Sequence, residues 1–207
     1  IHRLAEHARS QPDRLAFVQP GATGRFREIS FAEFWRQLIC LARRFGPICD
    51  GRPLMILSGN SIEHILVRCA AMAAGIAPAP VSAGYSLLSS DYRHLQSIQA
   101  QCEPGAVFGD KTAPFADALN ALVPRPIVIA ANDDAGVADY LLEDLLPDPG
   151  DAPDAEWDEQ SVTPDSPAQI MFTSGSTGVP KGVPHTQGNA VNAILQTATV
   201  LKGFGTE

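Results

Sequence analysis

The stretch that decides the fold is Thr173-Ser174-Gly175-Ser176-Thr177-Gly178-Val179-Pro180-Lys181-Gly182. It places four hydroxyl groups, three glycines and one lysine around a single bend. Glycine permits positive φ angles, and consecutive backbone N–H groups in a turn form a concavity that binds anions. Hydroxyl groups donate hydrogen bonds to phosphate oxygens, and Lys181 supplies a mobile positive charge. The stretch therefore predicts a phosphate-binding loop.

The residues ahead of this loop predict a strand. Residues 168–172 (Ala-Gln-Ile-Met-Phe) are mostly apolar, which places the loop at the carboxyl end of a buried strand, where open α/β sheets bind ligands. The loop is not a Walker motif, because Pro180 stands five positions after Gly175 and Lys181 is followed by Gly182, which has no hydroxyl for magnesium. The alternative is an ordinary solvated Ser/Thr/Gly loop.

The complete stretch resembles the signature of the adenylate-forming (ANL) superfamily, which includes acyl- and aryl-CoA synthetases, adenylation domains of peptide synthetases, and luciferases. Residues 59–64 (Gly-Asn-Ser-Ile-Glu-His) and 73–82 resemble the strand–helix–strand region upstream of that signature. The Asn60-Ser61 pair and the segment Tyr85-Ser86-Leu87 look most like bacterial feruloyl-CoA synthetases.

This resemblance implies an AMP-forming reaction. The loop would hold the β- and γ-phosphates of ATP while a carboxylate attacks the α-phosphorus, giving an acyl-adenylate and pyrophosphate. In CoA ligases a thiol then displaces AMP. The implied cofactors are ATP and Mg²⁺, with CoA as co-substrate, and the implied acid is hydroxycinnamate- or ferulate-like. By resemblance, the phosphate contacts come from Thr173, Ser174, Gly175, Ser176, Thr177, Gly178 and Lys181.

Three further residues are candidates on the substrate side. The superfamily often continues with Thr-His-x-Asn, and here Gln187 replaces that histidine. If residues 183–187 are extended, His185 and Gln187 point to the same face, although a surface histidine without a role is the alternative. Tyr85 is a candidate for lining an acyl pocket, against the alternative of an ordinary packed tyrosine. His64 beside Glu63 falls far short of a ligand set, so no metal site is predicted.

Composition narrows the class of partner. The chain has 207 residues and a net charge of −8, which disfavours binding to nucleic acid or an anionic membrane surface. Residues 133–165 hold twelve of the 23 acidic residues and no Lys or Arg. With four prolines in the same stretch, this predicts a solvated, acidic, Pro-rich connector over about 133–167. An acidic protein-binding segment is the alternative.

The four cysteines form no C-x-x-C pair, and we expect buried thiols in a reducing cytoplasm, although an even count permits two disulfides. Residues 69–90 carry no charge, but Gly75, Pro78 and Pro80 argue against a membrane span. The chain start has no signal-peptide pattern, so the expected location is cytoplasmic. A homo-oligomer is left open.

Apolar periodicity and capping signals alternate between helix and strand. Helices are predicted over 30–45, from Asn60 or Ser61 to Gly75, from Ser90, and over 115–122; strands are predicted over 53–58, 77–81, 106–108 and 126–130. This alternation predicts an α/β fold, a layered and mostly parallel sheet with helices on both faces.

By the same resemblance, residues 1–207 correspond to the N-terminal region of the large adenylate-forming domain, with the phosphate loop at 173–182. We expect the adenine and ribose contacts, the mobile C-terminal domain and its catalytic lysine to lie outside this chain, which alone would be inactive. Three functions stay open. They are an AMP-forming carboxylate–CoA ligase, an adenylation domain that loads an amino acid onto a carrier protein, and a non-catalytic truncated module.

Overall fold

The computed structural model describes residues 1–21, 24–148, 157–174 and 178–200. In chain order the elements are α1 (His2–Ser10), β1 (Leu15–Pro20), β2 (Phe26–Ser30), α2 (Phe31–Cys49), β3 (Leu54–Leu57), α3 (Ile62–Ala73), β4 (Pro78–Pro80), α4 (Gly84–Leu87), α5 (Arg93–Cys102), β5 (Ala106–Gly109), α6 (Ala116–Asn120), β6 (Ile127–Ala130), β7 (Tyr140–Leu141), β8 (Pro167–Ser174), β9 (Pro180–Thr186) and α7 (Gln187–Val200). Short 3-10 helices cover Ala113–Phe115, Glu143–Leu145 and Glu159–Ser161.

A five-stranded sheet forms the centre of the molecule. Its strand order is β4-β3-β5-β6-β7, and every neighbouring pair is parallel. Successive residues of β3 face opposite layers. Leu54 and Ile56 pack with α2 and α3, whereas Met55 and Leu57 pack with α5 and α6. The predicted α/β class, with helices on both faces of a parallel sheet, is therefore confirmed.

Local hydrogen bonds define where α2 and α3 begin and where α3 ends. The Ser30 hydroxyl accepts a hydrogen bond from the Glu33 N–H at 3.3 Å, and the Ser61 hydroxyl accepts one from the His64 N–H at 3.0 Å. Gly75 follows α3 with a φ of +72°. Its N–H donates to the Met72 carbonyl, and the next N–H donates to the Ala71 carbonyl, which is the Schellman pattern.

Gly105 brings the end of α2 against the start of β5. A Cβ at this position would lie 2.1 Å from the Cys49 carbonyl oxygen, which no side chain tolerates. The Gly105 N–H donates to the Pro53 carbonyl at 2.9 Å, just before β3. Glycine is therefore required where helix and sheet approach most closely.

Two parts of the fold differ from the expectations. Helix α1 and the antiparallel pair β1–β2 were not predicted, and they pack beside α2 and α3. Within the expected connector at 133–167, β7 joins the sheet, and Leu142 and Leu145 are buried in the core. These apolar side chains fold residues up to 146 into the domain despite the surrounding carboxylates. Residues 149–156 lie outside the described residues.

Two acidic residues of this stretch, Asp133 and Asp139, have structural partners. The Asp133 carboxylate accepts hydrogen bonds from the Val137 and Ala138 N–H groups, and Asp139 accepts one from the Val128 N–H at 2.7 Å. These bonds satisfy backbone groups at the end of the sheet. Within the ranges given above, no helix has the length and apolar character needed to cross a bilayer.

Candidate functional site

The predicted phosphate loop is carried by an antiparallel hairpin. Strands β8 and β9 pair in a register that sets Thr173 directly opposite Lys181. Side chains directly opposite each other share one face of a hairpin, so the hydroxyl and the ammonium group flank the same side of the bend. Gly178, at the return of the loop, has a φ of +77°, the left-handed conformation that favours glycine. Gly175, Ser176 and Thr177, and the side chain of Ser174, lie outside the described residues.

The sequence-based placement of β8 in the parallel sheet was wrong. Among the described strands, β8 is hydrogen-bonded only to β9, and the hairpin lies beside β4 as a separate two-stranded sheet. Its inner face carries Ile170 and Phe172, which pack on the α5 and α6 layer of the core. Its outer face carries the exposed Met171 and Thr173. The hairpin is thus held to the domain by side-chain packing.

Gly182 makes the inner face of the hairpin compact. It lies opposite Phe172, and a Cβ here would be 3.1 Å from Phe172 Cε1 and 3.3 Å from Ile170 Cγ2. The glycine lets both apolar side chains lie against the strand next to Lys181.

The Lys181 side chain is exposed to solvent. Of the residues that the structure describes, none forms an ion pair with its ammonium group. The main chain on either side of it, by contrast, is held by Gln101 near the end of α5. Gln101 Nε2 donates to the Pro180 carbonyl at 2.8 Å, and Gln101 Oε1 accepts from the Gly182 N–H at 3.2 Å. Sequence reasoning missed Gln101, because nothing local indicates a partner some eighty positions further along the chain.

His185 and Gln187 do not share an extended strand. Strand β9 ends at Thr186, and Gln187 begins α7. The change of direction is set by a reciprocal cap, in which the Asn189 N–H donates to the Thr186 hydroxyl and the Thr186 N–H donates to Asn189 Oδ1. The condition under which both side chains would point to one face, an extended chain through residue 187, is therefore not met.

These two residues have different surroundings. His185 lies opposite Gln169 of β8, whose side-chain oxygen accepts a hydrogen bond from Arg68. Gln187 Nε2 donates to the Pro167 carbonyl at 3.0 Å, so its amide ties α7 to the start of β8. A role for either residue toward a substrate stays a prediction.

Tyr85 lies in the short helix α4 that follows the carboxyl end of β4. Its ring is 5.4 Å from the His94 ring and packs on the α5 and α6 layer. This geometry favours the packed-tyrosine alternative.

His64 and Glu63 each have a partner. His64 Nδ1 is 2.6 Å from the Ser58 hydroxyl, and Glu63 forms an ion pair with Arg27. Burial lowers the pKa of His64, as does the nearby Arg68 charge. Over the described ranges there is no group of three His, Cys, Asp or Glu residues suited to a metal ion.

All four cysteines are free and buried, as predicted. Burial raises the pKa of Cys49 and Cys102 to about 12 and that of Cys69 to about 11. Such thiols stay protonated near neutral pH and are poor nucleophiles.

Known proteins are similar to this chain in sequence. Over 205 residues the chain is 33% identical to a hybrid PKS-NRPS synthetase of Penicillium citrinum, covering 99% of this chain and 4% of that protein. It is 27% identical to a long-chain-fatty-acid–CoA ligase of Mycobacterium tuberculosis over 204 residues, covering 96% of this chain and 37% of the relative. The chain thus spans well under half of the length of either relative.

A solved structure agrees on the fold. The fatty acyl-adenylate ligase from L. pneumophila, in complex with acyl adenylate and pyrophosphate, superposes with a TM-score of 0.67 at 18% identity, covering 95% of this chain and 31% of that one. The family model described as AMP-binding enzyme matches residues 4–206. With the parallel sheet, the hairpin and the glycine-rich bend, this match shows that the chain belongs to the AMP-binding, adenylate-forming enzyme family.

Proposed function

We propose that this chain forms the pyrophosphate-side part of an AMP-forming ligase, which activates a carboxylic acid with ATP and passes the acyl group to CoA. One observation carries the proposal. In a member of the AMP-binding family, the hairpin sets Thr173 opposite Lys181 at the mouth of a Ser/Gly-rich bend, and the Lys181 side chain is exposed. A hydroxyl and an ammonium group on one face suit the oxygens of a polyphosphate.

Each group has a distinct part in this proposal. The Lys181 ammonium attracts the outer phosphates of ATP and offsets the charge that gathers on pyrophosphate as it leaves. The Thr173 hydroxyl donates to a phosphate oxygen beside it. Roles for Ser174, Gly175, Ser176, Thr177 and Gly178 as further donors remain predictions from the sequence. In this proposal Mg²⁺ enters with ATP and offsets the negative charge spread over the phosphates during the transfer.

The acid that we propose is aromatic, of the hydroxycinnamate type. Its support is the sequence resemblance around Asn60–Ser61 and Tyr85–Leu87. One relative compared above is named for long-chain fatty acids and the other is a hybrid PKS-NRPS synthetase, so this narrower assignment rests on the sequence alone.

The test of the phosphate role is ATP–pyrophosphate exchange by the whole protein, with Lys181→Ala as the variant and Lys111→Ala as the control. Both lysines are exposed, so either change removes one surface charge. A hydrogen bond to a charged group contributes about 1.5–3 kcal/mol, and exposure reduces this value to about 1–2 kcal/mol. We expect Lys181→Ala to raise the KM for pyrophosphate about 5- to 30-fold, while Lys111→Ala leaves it unchanged. Equal kinetics of the two variants would contradict the role.

The substrate class is tested in the same assay with ferulate, a long-chain fatty acid and a set of amino acids, followed by AMP release with CoA present. Exchange that depends on ferulate supports the hydroxycinnamate assignment, and preference for a long aliphatic acid refutes it. The second candidate is an adenylation domain that loads an amino acid onto a carrier protein, which the 33% identity to a hybrid PKS-NRPS synthetase favours. Amino-acid-dependent exchange, with no CoA requirement in the second step that releases AMP, would establish that alternative.

A further inference from the structure

We propose that Gln101 is a positioning residue for Lys181, so that helix α5 fixes the main chain from which the phosphate-binding ammonium projects. The proposal rests on the proposed phosphate role of Lys181 and adds a residue that lies outside the loop signature. It assigns no contact between Gln101 and the nucleotide.

The geometry is that of one carboxamide bridging two backbone groups. Gln101 Nε2 donates to the Pro180 carbonyl at 2.8 Å, and Gln101 Oε1 accepts from the Gly182 N–H at 3.2 Å. These two groups flank Lys181 on the chain. In an extended strand they point to the same edge, so the Gln101 amide occupies the place that a neighbouring strand would take. Lys181 is therefore held between β8 on one side and Gln101 on the other.

This second support matters because the edge of β9 that faces away from β8 is open at that point. Pro180 has no N–H, so its carbonyl and the Gly182 N–H are the two polar backbone groups beside Lys181 that need partners on this edge. The hairpin also has no hydrogen-bonded neighbour among the described strands other than its own two members. With the carboxamide in place, the two backbone groups on the free edge of β9 have partners.

Helix α5 is a firm base for the contact. Its Leu95 and Ile98 are fully buried and its Cys102 is nearly so. Gln101 precedes Cys102, the last residue of the helix, and its Nε2 also lies 3.2 Å from the Ser97 carbonyl one turn earlier. The side chain is therefore held along the helix end that lies next to β9. A flexible lysine loses conformational entropy when it binds phosphate, and a fixed main chain limits that loss.

The experiment compares two glutamines of the same helix. Gln96 is exposed like Gln101 and also donates to a backbone carbonyl, that of Ala121 at 3.0 Å, away from the hairpin. We would measure pyrophosphate binding by calorimetry for Gln101→Ala, Gln101→Met and the control Gln96→Ala. Methionine keeps the length of the side chain and removes both hydrogen bonds. We expect both Gln101 variants to bind about five-fold more weakly, since each loses bonds of ordinary net strength, and Gln96→Ala to bind as the unchanged protein does.

A double-mutant cycle separates positioning from general support of the hairpin. If Gln101 acts through Lys181, Gln101→Ala should weaken binding when Lys181 is present and have no further effect in the Lys181→Ala background. Amide hydrogen exchange gives a readout without ligand. The Gly182 N–H should exchange faster in Gln101→Ala and at the normal rate in Gln96→Ala.

The outcomes are distinct. If Lys181→Ala binds pyrophosphate weakly while Gln101→Ala binds it normally, the positioning role is overturned and the phosphate role stands. An equal loss for Gln101→Ala with and without Lys181 also overturns positioning. Unchanged binding in both single variants overturns the proposed function, and the positioning role with it.

Discussion

Replacing Gly182 by alanine tests how tightly the hairpin is packed against the core. The new Cβ would lie 3.1 Å from Phe172 Cε1 and 3.3 Å from Ile170 Cγ2, and carbon atoms prefer about 3.5–4.0 Å. Both neighbours pack on the core, so they have little freedom to withdraw. Overpacking of this kind costs about 1–3 kcal/mol, and the lower chain entropy of the unfolded alanine variant offsets about 0.4–1 kcal/mol.

The expected net loss is about 1–2 kcal/mol, which lowers the Tm by roughly 2–8 °C for a chain of this size. Thermal unfolding followed by circular dichroism measures it. Gly84→Ala is the matched control, because a Cβ at Gly84, the first residue of α4, would meet Ser82 Oγ at 3.6 Å and Leu88 Cδ1 at 3.9 Å, which are ordinary contacts. Since alanine lowers the entropy of the unfolded chain, this control should gain up to about 1 kcal/mol.

A second substitution identifies the cause. Phe172→Leu removes the ring atoms that the new Cβ would touch, so the cost of Gly182→Ala should fall in that background by about 1 kcal/mol. A Gly182→Ala protein as stable as the original would refute the packing argument. Strict additivity of the two changes would show that the ring is not the obstacle.

Three further outcomes follow from the structure. Ser61→Ala removes the cap of α3 and should cost about 1 kcal/mol in urea unfolding, whereas an unchanged midpoint would show that the bond adds nothing. Burial lowers the pKa of His64, so below about pH 6.5 this histidine binds a proton more readily in the unfolded chain than in the folded protein. The contribution of His64 to the free energy of unfolding should therefore fall as pH falls. His64→Gln should reduce this pH dependence. Burial raises the pKa of Cys49 and of Cys102 to about 12, which makes stability depend on pH in the alkaline range. Above about pH 9 these thiols ionise in the unfolded chain while they stay protonated in the folded protein, so the free energy of unfolding should fall toward pH 12. Cys49→Ala should flatten that decline in alkaline unfolding curves.

Sequence reasoning succeeded where the signal is local. The cap at Ser61 and the stop at Gly75 are encoded within a few residues of each helix end, and alternating apolar runs predicted the parallel sheet and its two helical layers. The apolar run at 168–172 was assigned correctly as a strand, but its partner was not. An apolar strand of this length fits a parallel sheet or a hairpin equally well, and only the tertiary packing of Ile170 and Phe172 decides between them.

For the candidate site too, the local features were predicted from the sequence and the long-range contacts were not. The spacing of the glycine-rich stretch indicated the loop, and Thr173 and Lys181 do flank it. The turn into α7 at Gln187 was missed, although the Thr186–Asn189 cap that sets it stands in the sequence. The contact of Gln101 could not be predicted, because nothing in the sequence around an exposed helical glutamine indicates which distant strand it will contact.

Gly105 has a consequence for the alignment of the sheet. Strands β3 and β5 are buried on both faces. Sliding one of them by a single residue would exchange two equally apolar faces, so it would expose little apolar surface to water and cost little hydrophobic free energy. Hydrophobicity alone therefore leaves several alignments nearly equal in energy. The close approach at Gly105, where a Cβ would lie 2.1 Å from the Cys49 carbonyl oxygen, removes this degeneracy, because a slip would bring a neighbour with a Cβ, Pro104 or Ala106, up to that carbonyl. The absence of a single methyl group at Gly105 thus fixes the register of β5 relative to β3.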